Sequence, residues 1–276
     1  MSQTLLIRSQ IMDFNHPLVM GIVNVTPDSF ACHCASMDEA GVMDVAGALV
    51  RQGTDILDVG ACSTRPGSEP VAVEEEWQRL DMALGCVRKA FPDVIVSVDT
   101  FRAEVAERAI DKYQVDMIND VSGLSDERML SVLARACVPY ILTHPAEACA
   151  QWNEQTDVMS DMLAFFSFRL DELHRAGVKD VILDPGLGFG KSLKQNYHIL
   201  MHLKQWAVLD CPVLVGLSRK SMIYNVLNTD PTHALNGTTA AHAVALLQGV
   251  SMLRVHDVLE AKEVIKIVDC CTKNKE

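Results

Sequence analysis

Charged and amide side chains follow short apolar runs at several points along the chain. Asp99, Asn119 and Asp184 each lie at or near the end of such a run. Two carboxylates and an amide can pair with adjacent N–H donors of a flat heterocycle, and such buried pairs discriminate strongly between ligands. Cationic or donor groups that suit an oxyanion or phosphate occur after other runs: Arg65, Lys220, Arg254 and His256. These residue types predict a ligand with a heterocycle at one end and a phosphate at the other.

The apolar runs themselves predict strands. They are rich in Val, Ile and Leu and hardly alternate with polar residues, which is typical of parallel strands covered on both faces. They occupy residues 19–24, 55–60, 94–99, 116–120, 139–143, 181–184, 213–217 and 252–255.

The stretches between these runs carry apolar residues at helical spacing. The predicted helices cover residues 36–51, 74–91, 102–113, 126–137, 157–176, 193–208, 237–249 and 258–271. Ser36, with Glu39 three residues later, fits a capping box at the start of the first helix. Regular alternation of strand and helix predicts the α/β class and a (β/α)8 TIM barrel, with an open doubly wound sheet as the alternative. In a barrel, the functional groups lie at the carboxyl ends of the strands.

Length and composition are compatible with one domain. No Pro/Gly/Ser-rich linker divides the 276 residues, so we expect a lead-in over 1–17, covering the bottom of the barrel, and a barrel over 18–276. The net charge of −12 argues against nucleic acid or a membrane surface as a partner. Residues 1–14 lack a signal-peptide pattern and no apolar run is long enough to span a membrane. The nine cysteines have no regular spacing and suggest reduced thiols in the cytoplasm.

Several short segments, found in order between residues 20 and 258, resemble the dihydropteroate synthase family of pterin-binding enzymes. They are MGIVNVTPDSF, STRPG, VDT, IND, LDPGLGFGK, GLSRKSMI and RVHDV. The resemblance implies a (β/α)8 barrel, usually a homodimer, and a target of sulfonamides. It also implies a transferase of folate biosynthesis, which joins 6-hydroxymethyl-7,8-dihydropterin diphosphate to p-aminobenzoate and releases diphosphate.

The resemblance implies a pterin site made of Asp99, Asn119, Asp184 and Lys220, with Phe189 along the pocket. Helix capping is the alternative explanation for each aspartate, and core packing is the alternative for Phe189. For Asp184, the glycine-rich PGLGFG that follows favours close approach of a ligand to the backbone.

The other substrate groups are matched to further positions by the same resemblance. Asn24 corresponds to a contact of Mg²⁺, which would be held mainly by diphosphate oxygens and water; a turn asparagine is the alternative. The diphosphate-binding positions are Thr64, Arg254 and His256, and those around p-aminobenzoate are Ser63, Arg65, Pro66 and Ser218.

The implied chemistry needs no protein nucleophile. Diphosphate would leave as Mg²⁺, Arg254 and His256 take up its developing charge. The resulting cation at the pterin methylene would be favoured by Asp99 and Asp184, and the aniline nitrogen would attack it. The expected catalytic residues are Asp99, Lys220, Arg254 and His256.

Three segments depart from the pattern of the family. Ala31-Cys32-His33-Cys34 replaces a loop that commonly reads Ser-Asp-Gly-Gly, Cys62 stands where Glu or Tyr is common, and Thr143 stands where a Met usually packs against the pterin. A zinc site at Cys32-His33-Cys34 lacks a convincing second ligand pair. A substituted substrate loop is the better interpretation, which puts p-aminobenzoate affinity and the sulfonamide response in question.

Two other functions remain open at this stage. Corrinoid-dependent methyltransferases share a pterin-binding barrel but need no diphosphate site, so STRPG, SRKS and RVHD favour the synthase. A non-catalytic pterin-binding protein is suggested by the altered first loop, but every matched ligand residue is retained.

Overall fold

The computed structural model describes residues 3–26, 38–62 and 71–273, and strands and helices alternate through these ranges. The strands are β1 Thr4–Ile7, β2 Gln10–Asp13, β3 Leu18–Asn24, β4 Ile56–Gly60, β5 Ile95–Asp99, β6 Met117–Asp120, β7 Tyr140–Thr143, β8 Val181–Asp184, β9 Leu214–Val215 and β10 Met252–Val255. The helices are α1 Glu39–Arg51, α2 Val73–Ala90, α3 Ala103–Tyr113, α4 Arg128–Ala136, α5 Val158–Arg175, α6 Leu193–His202, α7 Ser221–Tyr224, α8 Leu235–Leu247 and α9 Val258–Lys273.

Strands β3 to β10 form one parallel sheet in the order β8-β7-β6-β5-β4-β3-β10-β9. Its two edge strands approach each other where Leu183 of β8 forms a parallel bridge with Val213, one residue before β9. The backbone N–H of Leu183 also donates to the carbonyl of Pro212 at 2.9 Å. The sheet is therefore a nearly closed (β/α)8 barrel, which confirms the predicted fold and excludes the open sheet.

The interior of the barrel changes from apolar to polar along the strands. The lower layer is a buried cluster with one residue from most strands: Met20, Ile56, Met117, Ile141, Ile182, Leu214 and Met252. Side chains of a strand return to the same face after two residues. The next layer therefore contains the polar side chains two positions later: Asp58, Asn119, Thr143, Asp184 and Arg254.

The hairpin of β1 and β2 lies across the end of the barrel where the strands begin. Leu5 and Ile7 are buried against the lower apolar layer. Arg8 anchors the hairpin, since its Nε donates to Oδ1 of Asp116 at 2.6 Å. Buried apolar contact and a charged pair thus hold this end of the barrel closed.

Some predicted element ends were wrong. The first helix begins at Glu39 rather than Ser36, because Asp38 is the N-cap and its side chain accepts from the backbone N–H of Gly41 at 2.9 Å. Ser36 lies outside the described residues. A complete capping box occurs instead at Ser192 and Gln195, at the start of α6.

The chain after α6 also differs from the prediction. α6 ends at His202 and continues as a 3-10 helix, Leu203–Leu209, while the predicted strand 213–217 is reduced to Leu214–Val215. α7 was not predicted at all. Among the helices of the described ranges, none combines the length and apolar character that a bilayer crossing requires.

Candidate active site

The strand register brings several of the expected site residues together at one rim of the barrel. Asn24 pairs with Gly60, and Gly60 pairs in turn with Asp99. Asp99 pairs with Asn119 on the next strand. Two strands further round the barrel, Asp184 ends β8 beside Thr143 of β7. Residues far apart in sequence therefore share one level of the barrel, at the carboxyl ends of its strands.

The guanidinium of Arg254 is held between two carboxylates. Its Nε donates to Oδ2 of Asp58 and its Nη2 donates to Oδ2 of Asp99, both at 2.6 Å. Burial alone would lower the pKa of Arg254, but the negative charges of Asp58 and Asp99 raise it above its ordinary value. The side chain, 19% exposed, remains a cation at the edge of the pocket.

Asp58 is a site residue that the sequence analysis missed. It is fully buried in the middle of β4, where it accepts from Arg254 and, at 3.1 Å, from Nδ2 of Asn119. The available signal was a carboxylate within an otherwise apolar strand segment, ILDVG.

Asn119 presents an unpaired acceptor. With Nδ2 engaged by Asp58, its Oδ1 is buried and has no hydrogen-bond partner among the described residues. A buried acceptor without a partner costs free energy unless a ligand or water supplies a donor. The amide oxygen of Asn119 can therefore accept a hydrogen bond from an N–H group of a ligand.

Asp99 and Asp184 bind a proton at higher pH than ordinary carboxylates do. Burial raises the pKa of Asp99 to about 7, although the charge of Arg254 opposes the change. Burial also raises the pKa of Asp184, against the opposing charge of Lys220. Asp184 Oδ1 accepts from the backbone N–H of Gly186 at 2.8 Å, which orients the carboxyl.

Lys220 joins the loops that follow β8 and β9. Its Nζ lies 4.3 Å from the centre of the Phe189 ring and donates to the carbonyl of Leu187. Gly188, with φ of +88°, allows this approach, since a Cβ there would lie only 3.1 Å from Cδ of Lys220. Burial lowers the pKa of Lys220 to about 8, with Asp184 opposing the change.

His256 and Ser218 lie together on the rim next to β10. The Ser218 hydroxyl oxygen is 3.1 Å from Nδ1 of His256 and accepts from its backbone N–H at 3.3 Å. The neighbouring Arg219 points elsewhere, because its guanidinium forms an ion pair with Asp257 at 2.9 Å. Arg219 therefore ties the two loops together rather than facing a ligand.

The surroundings of Asn24 suit a magnesium ion. A Cβ added to Gly60 would be 3.5 Å from both Oδ1 of Asn24 and Oδ2 of Asp99, so these two oxygen atoms lie on either side of the glycine. Oxygen ligands are those that Mg²⁺ prefers. No group of three His, Cys, Asp or Glu side chains within the described ranges could hold a metal by itself. The donors present therefore fit Mg²⁺ bound mainly by substrate oxygens and water.

Several expected residues cannot be placed. Thr64, Ser63, Arg65 and Pro66 lie outside the described residues, as does the loop segment 31–34 with Cys32, His33 and Cys34. Cys62 is described, and burial raises the pKa of its thiol. Thr143 is fully buried, and its hydroxyl has no partner in the described part of the chain.

Comparison with known proteins identifies the family of the chain. Residues 20–256 match the model of the family described as pterin binding enzyme. Dihydropteroate synthase of Escherichia coli (strain K12) is 37% identical over 275 residues, which cover 96% of this chain and 95% of the relative. That of Haemophilus influenzae is 35% identical over 266 residues, covering 94% and 95%.

Solved structures agree in fold over nearly the whole chain. Yersinia pestis dihydropteroate synthase in complex with a sulfonamide drug has a TM-score of 0.90 at 34% identity, covering 99% of this chain and 100% of that one. The Xanthomonas albilineans enzyme with 4-aminobenzoic acid has a TM-score of 0.89 at 36% identity, covering 98% of each chain. The chain therefore belongs to the pterin-binding enzyme family, in its dihydropteroate synthase group.

Proposed function

We propose that this enzyme condenses 6-hydroxymethyl-7,8-dihydropterin diphosphate with p-aminobenzoate to give 7,8-dihydropteroate and diphosphate. The observation that carries the proposal is the convergence of Asn119, Asp184 and Lys220 on the barrel rim that also holds Arg254. Acceptors for a heterocycle and a cation for its diphosphate thus lie in one pocket.

The pterin would be recognised by hydrogen bonds to side chains of the polar layer of the barrel. Oδ1 of Asn119 accepts from a ring or amino N–H, and the Asp184 carboxyl takes the adjacent donor. The Lys220 amine, which lies over the ring of Phe189, donates to an acceptor atom of the pterin ring. A ligand that lacks one of these groups leaves a buried polar atom unpaired, which costs roughly 1–3 kcal/mol.

The leaving diphosphate would lie toward Arg254 and His256. Arg254 already has its Nε and Nη2 engaged, which leaves its Nη1 to donate to an anion. Asn24, together with substrate oxygens, would hold a Mg²⁺ ion that would supply further positive charge there. Asp99 and Asp184 lie on the pterin side and favour positive charge on the methylene carbon after the diphosphate departs.

We also propose a cytoplasmic homodimer. Free thiols at Cys62, Cys86, Cys137, Cys149 and Cys211 suit a reducing compartment. Leu247 of α8 and Leu259 and Ile267 of α9 are 47% to 67% exposed, and together they offer apolar surface to a second copy. Light scattering of the purified protein measures the mass directly, and a monomer at micromolar concentration would contradict the dimer.

A turnover assay tests the proposed activity. Purified protein is incubated with dihydropterin diphosphate, p-aminobenzoate and Mg²⁺, and both dihydropteroate and diphosphate are measured. Equal amounts of the two products are expected, with greatly reduced turnover when Mg²⁺ is omitted. Lys220→Ala and Asp184→Asn should each lower turnover severely in a protein that stays folded.

Other results would point away from the synthase. Diphosphate release without dihydropteroate would indicate that the p-aminobenzoate site is not functional. Methyl transfer from methyltetrahydrofolate to a corrinoid, without turnover of the diphosphate, would identify the methyltransferase instead.

A further inference from the structure

Asp58 lies in the interior of the barrel, in the polar layer that also contains Asn119, Asp184 and Arg254. It is fully buried in β4, between Ile56 of the apolar layer and Gly60 at the carboxyl end. A carboxylate in such a place is costly unless it is paired and hydrogen-bonded. Both of its partners, Arg254 and Asn119, are groups that we place against the pterin diphosphate.

We propose that Asp58 is a positioning residue that fixes the orientation of the Asn119 amide and of the Arg254 guanidinium, and so determines which heterocycle the pocket accepts. The inference rests on the proposed function, since it concerns how the same pocket recognises its pterin substrate.

The Asn119 amide has two ends of opposite character, and Asp58 selects between them. An ionised carboxylate only accepts hydrogen bonds, so it faces the amide N–H₂ group, 3.1 Å from it, rather than the oxygen. The amide oxygen is thereby fixed as a buried acceptor without a partner among the described residues. A ligand with an N–H donor at this point fits, and a ligand with an acceptor is rejected.

The same carboxylate oxygen anchors Arg254 at its Nε, while Asp99 holds Nη2. Contacts at two nitrogens fix the plane of the guanidinium as well as its position. The third nitrogen, Nη1, donates to no group in the described ranges and is aimed by these two anchors. Asp58 therefore links Asn119, which recognises the pterin ring, to Arg254, which faces the diphosphate.

Asp58 also acts on Asp99 through its charge. Burial is the main cause that raises the pKa of Asp99 to about 7, and the negative charge of Asp58 raises it further against the effect of Arg254. Removal of that charge should let Asp99 ionise at lower pH.

The test compares Asp58→Asn with Asp116→Asn. Asp116 is a matched control, because it is also buried and accepts from two arginines, Arg8 and Arg88, but it lies at the opposite end of the barrel. In Asp58→Asn, one amide oxygen can still accept from both Arg254 and Asn119, but the negative charge that strengthens both hydrogen bonds is lost. The Asn119 amide and the Arg254 guanidinium are then held less firmly in their orientations.

We expect Asp58→Asn to raise the KM for dihydropterin diphosphate and to lower kcat/KM about a hundredfold, as displacement of a recognition group by about 1 Å can do. The low-pH limb of kcat/KM should move to lower pH, and the melting temperature should fall no more than in Asp116→Asn. Asp116→Asn should keep the KM and the pH profile of the wild type.

Calorimetric binding of 6-hydroxymethyl-7,8-dihydropterin separates this inference from the proposed reaction. If the wild type binds the pterin but forms no dihydropteroate, the proposed reaction fails, and weaker binding by Asp58→Asn still supports the role of Asp58. Wild-type kcat/KM and pH profile in folded Asp58→Asn would overturn the inference. So would equal loss in Asp58→Asn and Asp116→Asn, or a wild type that does not bind the pterin.

Discussion

The amine of Lys220 lies over the ring of Phe189, 4.3 Å from its centre, although the two residues come from loops that follow different strands. The contact joins these loops and holds a half-buried cation, and burial lowers the pKa of Lys220 to about 8. Phe189 is therefore part of the support for a polar group of the pocket. Its partial burial under Lys220 also argues against simple core packing.

Phe189→Leu should lower kcat/KM for dihydropterin diphosphate by about tenfold. A desolvated cation–π contact contributes roughly 1–2 kcal/mol, and about 1.4 kcal/mol corresponds to a tenfold change. Steady-state kinetics measure the effect. Phe168→Leu is the control, because Phe168 is 62% exposed on α5. An unchanged kcat/KM in Phe189→Leu would contradict the role of the ring.

The pH dependence of kcat/KM should be bell-shaped. Burial raises the pKa of Asp99 to about 7, so the rate should rise with pH as this carboxyl ionises. Burial lowers the pKa of Lys220 to about 8, so the rate should fall at higher pH as the amine loses its proton. Initial rates between about pH 5.5 and about pH 9.5 test this, a range that spans both ionisations. A flat profile across the range would show that neither ionisation controls the reaction.

Thr143→Val should stabilise the unliganded protein. The Thr143 hydroxyl is fully buried without a partner in the described ranges, and such a group costs roughly 1–3 kcal/mol. Replacement by a methyl group of similar shape should raise the melting temperature by about 2–4 °C. The gain should be smaller when pterin is bound, if the ligand or a water satisfies the hydroxyl.

Thr238→Val is the matched control for Thr143→Val. Thr238 is 1% exposed, but its hydroxyl oxygen accepts from the backbone N–H of Arg219 at 3.1 Å. Its loss should lower the melting temperature. A lower melting temperature in unliganded Thr143→Val would mean that the Thr143 hydroxyl is already satisfied.

His144→Phe should reduce the loss of stability in acid. His144 is packed against Trp152, Phe165 and Phe166, and burial lowers its pKa to about 3. Below about pH 6.5 the unfolded chain binds a proton at this histidine that the folded protein excludes. The free energy of unfolding of the wild type should therefore fall relative to the variant, by about 1.4 kcal/mol for each pH unit down to about 3.

Urea unfolding of both proteins at several pH values measures this difference. Asp99 works in the opposite direction, since its raised pKa lets the folded protein bind a proton first, but its contribution is common to both proteins and cancels. A difference that does not change with pH would show that His144 titrates normally.

The alternation of apolar runs and helical stretches predicted the barrel because parallel strands covered on both faces need continuous apolar sequence. The rim residues were predictable as well, since Asp99 and Asp184 end their strands. Asp58 was missed because it lies inside an apolar run, and only the closed barrel shows that this position faces the interior. Its two hydrogen-bond partners, Asn119 and Arg254, lie 61 and 196 positions away in the sequence.

The sequence predicted the ends of helices and strands less well than their presence. Ser36 and Asp38 are both good N-cap residues, and the sequence alone does not show which one the chain uses. The end of the seventh predicted strand depended on closure of the sheet, where Val213 meets β8 through a single bridge. Such choices are made by contacts between distant segments, which local patterns do not contain.

The hairpin of β1 and β2 determines the end of the barrel at which ligands enter and leave. Leu5 and Ile7 close the base of the barrel against a full layer of apolar side chains, so the pocket has its mouth at the opposite rim. Both substrates must enter, and both products must depart, through that same mouth. For the proposed reaction, the substrate that binds deeper would therefore have to arrive before its co-substrate.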